Sequence, residues 1–423
     1  MMNKPSPIQE TLTTNLKVKS RAQWVSKLAK AQILKKLEQL NLGRLILIDG
    51  NQKHIFGNKG GIAASIAVHD QRFYGEIAFG GSIGAGEAYM LRYWTADNLT
   101  DVVRIMCLNQ AVMDTLEGGY QWLTKPVLKV LHWLNSNTTE GSRKNIAAHY
   151  DLGNEMFALF LDPTMMYSSA IFNTQTTTLQ AGSKLKLKTI CDKLDLQATD
   201  HVVEIGTGWA GFAIYAASHY GCHVTTTTIS KQQYTLAKSR VEAAGLSDKI
   251  TLLLEDYRNI DGQFDKLVSI EMVEAVGHQF YDTYFAKVGS LLKPDGLALI
   301  QAITIADQRY ESAKNSVDFI QRYIFPGSCI PSNTAMLNSI TKITDLRLFD
   351  LEDIGPHYAT TLNFWRKNFM ANRVQVKQLG YSDEFICMWE FYLSYCEGGF
   401  LERALGDVHL LLAKPDNRRP PLA

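Results

Sequence analysis

Residues 202–212 read Val202-Val203-Glu204-Ile205-Gly206-Thr207-Gly208-Trp209-Ala210-Gly211-Phe212: an apolar strand, a glycine turn and the start of a helix. No other stretch limits the possible folds so tightly. Gly206 and Gly208 let the backbone pass close under a ligand, where any Cβ would intrude. The alternation then continues. Strand-like runs at 202–206, 222–229, 250–254, 266–270 and 297–303 are separated by helix-like stretches at 209–219, 231–244 and 279–292. Strands and helices alternating at this spacing mean βαβ units around a parallel sheet. Leu346–Leu351 and Val408–Lys414 read as two further strands. They flank a long helical insert holding Trp365, Phe369, Trp389 and Phe391.

A glycine turn of this kind also occurs in dinucleotide-binding folds, where an acid at the end of the second strand holds the ribose. Here that strand, Val224–Ile229, ends in threonines and Ser230. An acidic position follows the third strand instead, at Glu255-Asp256-Tyr257-Arg258. A carboxylate there can accept a hydrogen bond from an adenine amine. Glu204, the glycines and Asp256 together favour S-adenosylmethionine over a dinucleotide. The competing reading makes Glu204 and Asp256 solvated turn acids.

The N-terminal third is built differently. Trp24, Leu28, Ala31, Leu34, Leu37 and Leu40 recur at spacings of three and four within 22–42, an amphipathic helix ended by Gly43. Leu45–Ile48, Ile62–Val68 and Arg72–Phe79 read as strands, followed by a glycine-rich turn at 80–84 and helices at 86–94 and 99–116. This predicts a small α+β domain over residues 1–134, closing on an apolar helical stretch at 122–134. That stretch is either core packing or a surface for acyl chains. A polar linker follows at 135–144, then a second domain over 145–423; residues 1–20 are polar and read as poorly ordered.

Residues 1–60 carry eleven basic against three acidic side chains, a surplus of eight in a chain of net charge +1. The overall balance argues against nucleic acid as a partner. The basic first segment suits a phosphate-bearing surface such as an anionic membrane, or else forms a solvated helix face. No apolar run approaches the ~18 residues of a bilayer span, so membrane contact is expected to be peripheral. Six dispersed cysteines include no CxxC pair, so neither a zinc site nor a disulfide framework is indicated, and the usage fits a reducing compartment.

Further blocks stand in order along the second domain: His149-Tyr150-Asp151-Leu152-Gly153-Asn154, Met166-Tyr167-Ser168-Ser169-Ala170, Thr228-Ile229-Ser230-Lys231-Gln232-Gln233, Glu271-Met272-Val273-Glu274-Ala275-Val276-Gly277, Tyr323-Ile324-Phe325-Pro326-Gly327 and His357-Tyr358-Ala359-Thr360-Thr361-Leu362. With these, residues from about 145 to 414 resemble the cyclopropane-fatty-acyl-phospholipid synthase family. The N-terminal domain resembles that family's lipid-associating domain only loosely. The resemblance implies a Rossmann-like class I methyltransferase: a seven-stranded mixed sheet with a helical insert. It implies S-adenosylmethionine held by Tyr167, Ser168, Glu204, Gly206, Gly208, Gly211, Thr228, Ser230, Gln233, Asp256, Tyr257 and Glu271, with His149, Tyr150 and Asp151 lying over it. The implied substrate is an unsaturated phospholipid, met at the cytoplasmic face of the membrane. A homodimer is the usual assembly of similar synthases.

The implied reaction joins a sulfonium methyl to a cis double bond in a dry site. Aromatic faces, with Tyr358, Phe172 and Trp365 as candidates, can stabilise the resulting cation. Ring closure then needs a base. By resemblance that base is a bound bicarbonate, held by Glu274, Tyr358, the position of Gln301 and the backbone at Ser169 and Ile303. Two positions depart from the family pattern: Ser169 replaces a cysteine and Gln301 a histidine. Gln301 donates a hydrogen bond but cannot change charge near neutral pH. Glu274 can itself serve as base if its pKa is raised; otherwise it is a carboxylate at a helix start. Cys396 matches a family cysteine near the pocket and reads better as a packed thiol than a nucleophile. For His278 a structural role is the more common one. Methyl or methylene branching, N-methylation of a small amine, and a lipid-binding protein without catalysis are the alternatives.

Overall fold

The computed structural model describes residues 23–58, 61–117, 153–175 and 178–422. Residues 1–20, the apolar stretch at 122–134, the linker at 135–144 and the triplet His149-Tyr150-Asp151 lie outside the described residues. The chain divides into two compact units. The first joins the N-terminal residues with Asn315–Pro326 and Trp365–Ala404, and the second holds the remainder.

In the first unit, β1 (Arg44–Asp49) pairs antiparallel with β2 (Gln52–Gly57) and parallel with β3 (Ala63–Val68). β3 pairs antiparallel with β4 (Trp94–Ala96). β2 escapes the sequence patterning because it is a polar edge strand; Phe56 is its one buried side chain. Arg72–Phe79, expected as a strand, instead begins the helix Arg72–Met90. The Asp70 carboxylate accepts the Arg72 N–H at 2.9 Å and starts the first turn. Phe73 and Ile77 then stand four apart, an interval that suits a helix. The glycine turn expected at 80–84 becomes a kink inside this helix, where Gly81 takes φ +55°.

The helical insert belongs to this first unit, and not to one continuous domain over 145–423. The reason is packing. Phe391, on the helix Asp383–Leu401, meets Tyr89 at 5.8 Å between ring centroids. A Cβ on Gly86 would lie 2.4 Å from the Phe319 ring, so glycine is what lets the two segments close together.

The second unit carries the expected seven-stranded mixed sheet. Its strands are β5 (His201–Ile205), β6 (His223–Thr227), β7 (Ile250–Leu253), β8 (Phe264–Ile270), β9 (Leu292–Ile305), β10 (Arg347–Asp353) and β11 (Leu405–Ala413), in the order β10-β11-β9-β8-β5-β6-β7. β5 to β9 run parallel; β11 lies antiparallel to both β9 and β10. Val203, Ile205 and Leu267 pack on one face with the helices Tyr281–Ser290 and Asn333–Ile343. Val202 and Val268 pack on the other with Leu179–Leu194, Gly211–Tyr220 and Lys231–Ala243. Burial on both faces explains why Leu297–Ile300 in β9 and Leu410–Ala413 in β11 read as continuous apolar runs. Ile300 and Leu410 lie at the centre, fully buried; truncating either to alanine costs about 2–5 kcal/mol.

Candidate active site

The glycine turn leaves the carboxyl end of β5, the edge where open α/β sheets bind ligands. Gly206 (φ +102°) and Gly208 (φ +51°) hold it in a shape that other residues resist. The N–H groups of Gly206 and Thr207 donate to the Thr227 carbonyl at 3.2 and 2.9 Å, tying the turn to β6. The three glycines do different work. A Cβ on Gly206 would meet Met272 Cγ at 2.5 Å, and one on Gly211 would meet Met166 Sδ at 2.5 Å. Over Gly208 the same space is open, so bare backbone faces it. The turn therefore fits the close approach of a nucleotide.

The remaining residues expected at the cofactor surround this turn with bonds of their own. Glu204 is buried in β5 and accepts the Thr226 hydroxyl at 2.6 Å; burial pushes its carboxyl up to about 8. Thr228 donates to Gln233 Oε1 at 2.8 Å, and Ser230 caps the helix Lys231–Ala243 by accepting the Gln233 N–H. Asp256 was expected to receive an adenine amine, yet its carboxylate is clasped by Arg258, with Nε at 2.8 Å and Nη2 at 2.7 Å. The Tyr257 ring packs edge-on against Tyr284, and burial pushes its hydroxyl up to about 12. Tyr167 packs edge-on against Phe157, and Ser168 accepts the Lys186 ammonium at 2.8 Å.

Glu271, also expected at the cofactor, is the hub of a second cluster. It follows β8 in a left-handed conformation, φ +50°, with its N–H bonded to the Gln301 carbonyl at 2.8 Å. One carboxylate oxygen accepts the Ser169 N–H at 2.7 Å and the Gln301 amide at 2.8 Å. The other accepts the Tyr358 hydroxyl at 2.6 Å. The same Gln301 amide nitrogen donates to Asp407 at 3.0 Å, and its oxygen faces His409 Nε2 at 3.3 Å. The register explains this: β9 and β11 place Gln301 opposite His409 and Ile303 opposite Asp407. The Glu274 carboxylate accepts the Ile303 N–H through one oxygen. Its other oxygen is buried with no hydrogen-bond partner among the described residues.

The electrostatics are severe. Burial raises the Glu271 carboxyl, raises Asp407 well above the usual carboxylate range, and pushes Glu274 up to about 8, with Glu271 adding to the last two by charge repulsion. Lys186, fully buried, is pushed down to about 8 by the same desolvation, against the pull of the Glu271, Asp407, Asp162 and Glu204 carboxyls. His409 is held well below its ordinary value by burial, hence neutral. Three carboxyls gathered near one ammonium cannot all ionise, so they titrate as a set. Such a set can take up a proton in a dry site.

Five residues were expected around bicarbonate. The structure brings Ser169, Gln301 and Tyr358 together on Glu271, and Ile303 onto Glu274. Their donors are thus directed at the chain's own carboxylates, and this donor set does not fit a further anion. Phe172 stacks on Phe364 at 5.9 Å, and its N–H donates to His357. Cys396 and Trp365 belong to the first compact unit. Burial, then the Asp318 charge, raises the Cys396 thiol and keeps it protonated, as suits a packed thiol. Sequence reasoning missed Lys186, Asp407 and His409. The two strand residues left a signal: Asp407 and His409 alternate with Val408 and Leu410 on a central strand, where polar side chains are out of place.

Comparisons with known proteins agree with this picture. Residues 137–410 match the family described as mycolic acid cyclopropane synthetase. The tuberculostearic acid methyltransferase UfaA1 of Mycobacterium tuberculosis is 40% identical over 329 residues, 76% of this chain and 76% of its own. The cyclopropane-fatty-acyl-phospholipid synthase of Escherichia coli is 36% identical over 346 residues, 81% of this chain and 86% of its own. Among solved structures, mycolic acid cyclopropane synthase CmaA1 complexed with SAH and CTAB superposes with a TM-score of 0.60 at 29% identity, over 64% of this chain and 98% of that one.

Proposed function

The chain belongs to the mycolic acid cyclopropane synthetase family, and from that premise we propose that it methylates the cis double bond of an unsaturated phospholipid acyl chain and closes a cyclopropane ring. It is an S-adenosylmethionine-dependent methyltransferase of class I, Rossmann-like fold. The observation that carries the reading is the buried carboxylate cluster beside the cofactor turn. Met272, the neighbour of Glu271, is the residue that packs on Gly206. Adding a methyl to an olefin leaves a carbon acid whose proton must go to a base sheltered from water. Methylation of a soluble amine releases only an N–H proton, which solvent can take, and so does not call for a base sheltered from water.

When bound, S-adenosylmethionine supplies an electrophilic sulfonium methyl. The Gly206–Gly208 backbone gives its nucleotide a close-fitting bed. Tyr358, Gln301 and Ser169 are all buried and keep water from the reacting carbons. Phe172 and Tyr358 offer aromatic faces to a developing cation. Thr361 accepts the Ala170 N–H at 3.0 Å, which fixes the segment carrying Ser169.

Residues 1–134 are assigned to lipid association, with the surplus of eight basic side chains in 1–60 drawing the enzyme to the anionic cytoplasmic face of a membrane. No helix among the described residues is long and apolar enough to cross a membrane. A second reading, methylation that leaves a methyl or methylene branch, is favoured by the 40% identity to a relative named for tuberculostearic acid. Mass spectrometry and NMR of unsaturated phospholipids incubated with S-adenosylmethionine test both. A gain of one CH₂ is expected, with ring protons distinguishing cyclopropane from a branch. Methylation of a water-soluble amine, with lipids untouched, would refute the assignment.

A further inference from the structure

We propose that Glu271 is this enzyme's own general base, seated where the donors for an external anion converge, so that turnover needs no bicarbonate. The inference rests on the olefin-methylation reading above and names the group that completes it. Three elements aim at this carboxylate: the segment before Ala170 through the Ser169 N–H at 2.7 Å, β9 through the Gln301 amide at 2.8 Å, and the helix Gly355–Ala371 through the Tyr358 hydroxyl at 2.6 Å. All three donors are neutral. They orient the carboxylate and, with the Lys186 charge, lower its basicity, but desolvation by burial outweighs them and leaves the carboxyl raised.

The backbone makes the same point. Glu271 occupies φ +50°, a region that suits glycine and strains other residues. Such strain persists where surrounding contacts hold it, and here they hold one carboxylate in one place. The charged and titratable groups around it are Lys186 from the helix Leu179–Leu194, Glu274 from the short helix Val273–Val276, Asp407 and His409 from β11, and Tyr358. Glu274 and Asp407 repel negative charge, which makes proton uptake by the set more favourable.

The step balances. One olefinic carbon gains the methyl as its bond to sulfur breaks, leaving a neutral thioether and a cation on the neighbouring carbon. An oxygen of Glu271 then removes a proton from the added methyl. The electron pair of that C–H bond becomes the second C–C bond of the ring. The positive charge that arrived on sulfur leaves as the proton on Glu271.

The test compares wild type with Glu271→Gly and Glu271→Gln in buffer stripped of carbon dioxide, following CH₂ gain by mass spectrometry. Wild-type turnover is expected to be indifferent to bicarbonate. Glu271→Gly suits the left-handed backbone and opens the carboxylate's place. It should lose on the order of 100-fold in kcat, the scale of a lost general base, and recover when bicarbonate or formate is added. Glu271→Gln fills the space with an amide and should fall without recovery. Line broadening of ¹³C-bicarbonate should appear with Glu271→Gly and not with wild type, and thermal melts by circular dichroism verify that each variant is folded. Bicarbonate-dependent turnover by wild type, or undiminished turnover by both variants, would overturn the proposal while leaving lipid methylation intact. A wild type that methylates no unsaturated lipid in any buffer would instead refute the function proposed above.

Discussion

Replacing Glu204 by glutamine tests whether this buried carboxyl keeps its proton at neutral pH. Glu204 is 2% exposed, and its carboxyl is pushed up to about 8 from an ordinary 4.5. Because the folded value is the higher, the fold binds this proton more tightly than the unfolded chain does. The stability from it is therefore fully present below about 4.5 and is lost as pH rises through about 8. The gap corresponds to roughly 5 kcal/mol between those limits, an order-of-magnitude figure. Glutamine keeps an oxygen for the Thr226 hydroxyl and never ionises. The variant should melt near the wild-type temperature at pH 5 and several degrees above it at pH 9, with the gap widening steadily from about pH 5 and levelling off above about pH 8. Glu274, also near 8, contributes the same slope to both proteins and cancels in the difference. Lys186, pushed down to about 8, slopes the opposite way and loses in the variant only the Glu204 pull, the last-ranked of the four carboxyl pulls on it. Thermal melts by circular dichroism at unit pH steps suffice. Parallel curves from pH 5 to pH 9 would mean that Glu204 is solvated in the folded state, and the account of the buried cluster would lose its footing.

Tyr358→Phe removes one donor from Glu271; a lost bond to a charged group is worth about 1.5–3 kcal/mol, so kcat should fall roughly 10- to 100-fold while S-adenosylhomocysteine affinity stays unchanged, as steady-state kinetics and calorimetry will show. Gly208→Val places a branched side chain at φ +51° in the open space of the turn, and calorimetry should find cofactor binding weakened by tenfold or more. Sedimentation with anionic vesicles should weaken steeply between low salt and about 0.5 M salt as screening grows, and salt-indifferent pelleting would argue against the basic segment as the docking surface.

Much of the catalytic unit was readable because its strands are buried on both faces. Leu297–Ile300 is apolar without interruption, Val202–Ile205 is broken only by Glu204, and the helices between them keep their period. The N-terminal unit was harder for a physical reason. Phe73, Tyr74 and Ile77 satisfy a strand or a helix equally over so short a span, and only the bond from the Arg72 N–H to Asp70 and the chain beyond Gly81 decide between them. The grouping of Trp365–Ala404 with the N-terminal sheet depends on contacts hundreds of residues apart, such as Tyr89 with Glu390 at 2.8 Å, which no local pattern encodes.

Gln301 shows why the site was legible in its members and not in its logic. Read alone, an amide where a histidine is usual looks like a loss, since it cannot carry a proton. In place, the amide nitrogen has two hydrogens and stands between two carboxyls, Glu271 and Asp407, while its oxygen meets His409. A neutral imidazole has one N–H and cannot serve both acids; a protonated one would add a second buried cation beside Lys186. The amide is thus matched to a chain that brings its own carboxylate, Glu271, into the cluster. The substitution at Gln301 and the presence of Glu271 are two halves of one arrangement, which is why neither could be interpreted until the structure set them 2.8 Å apart.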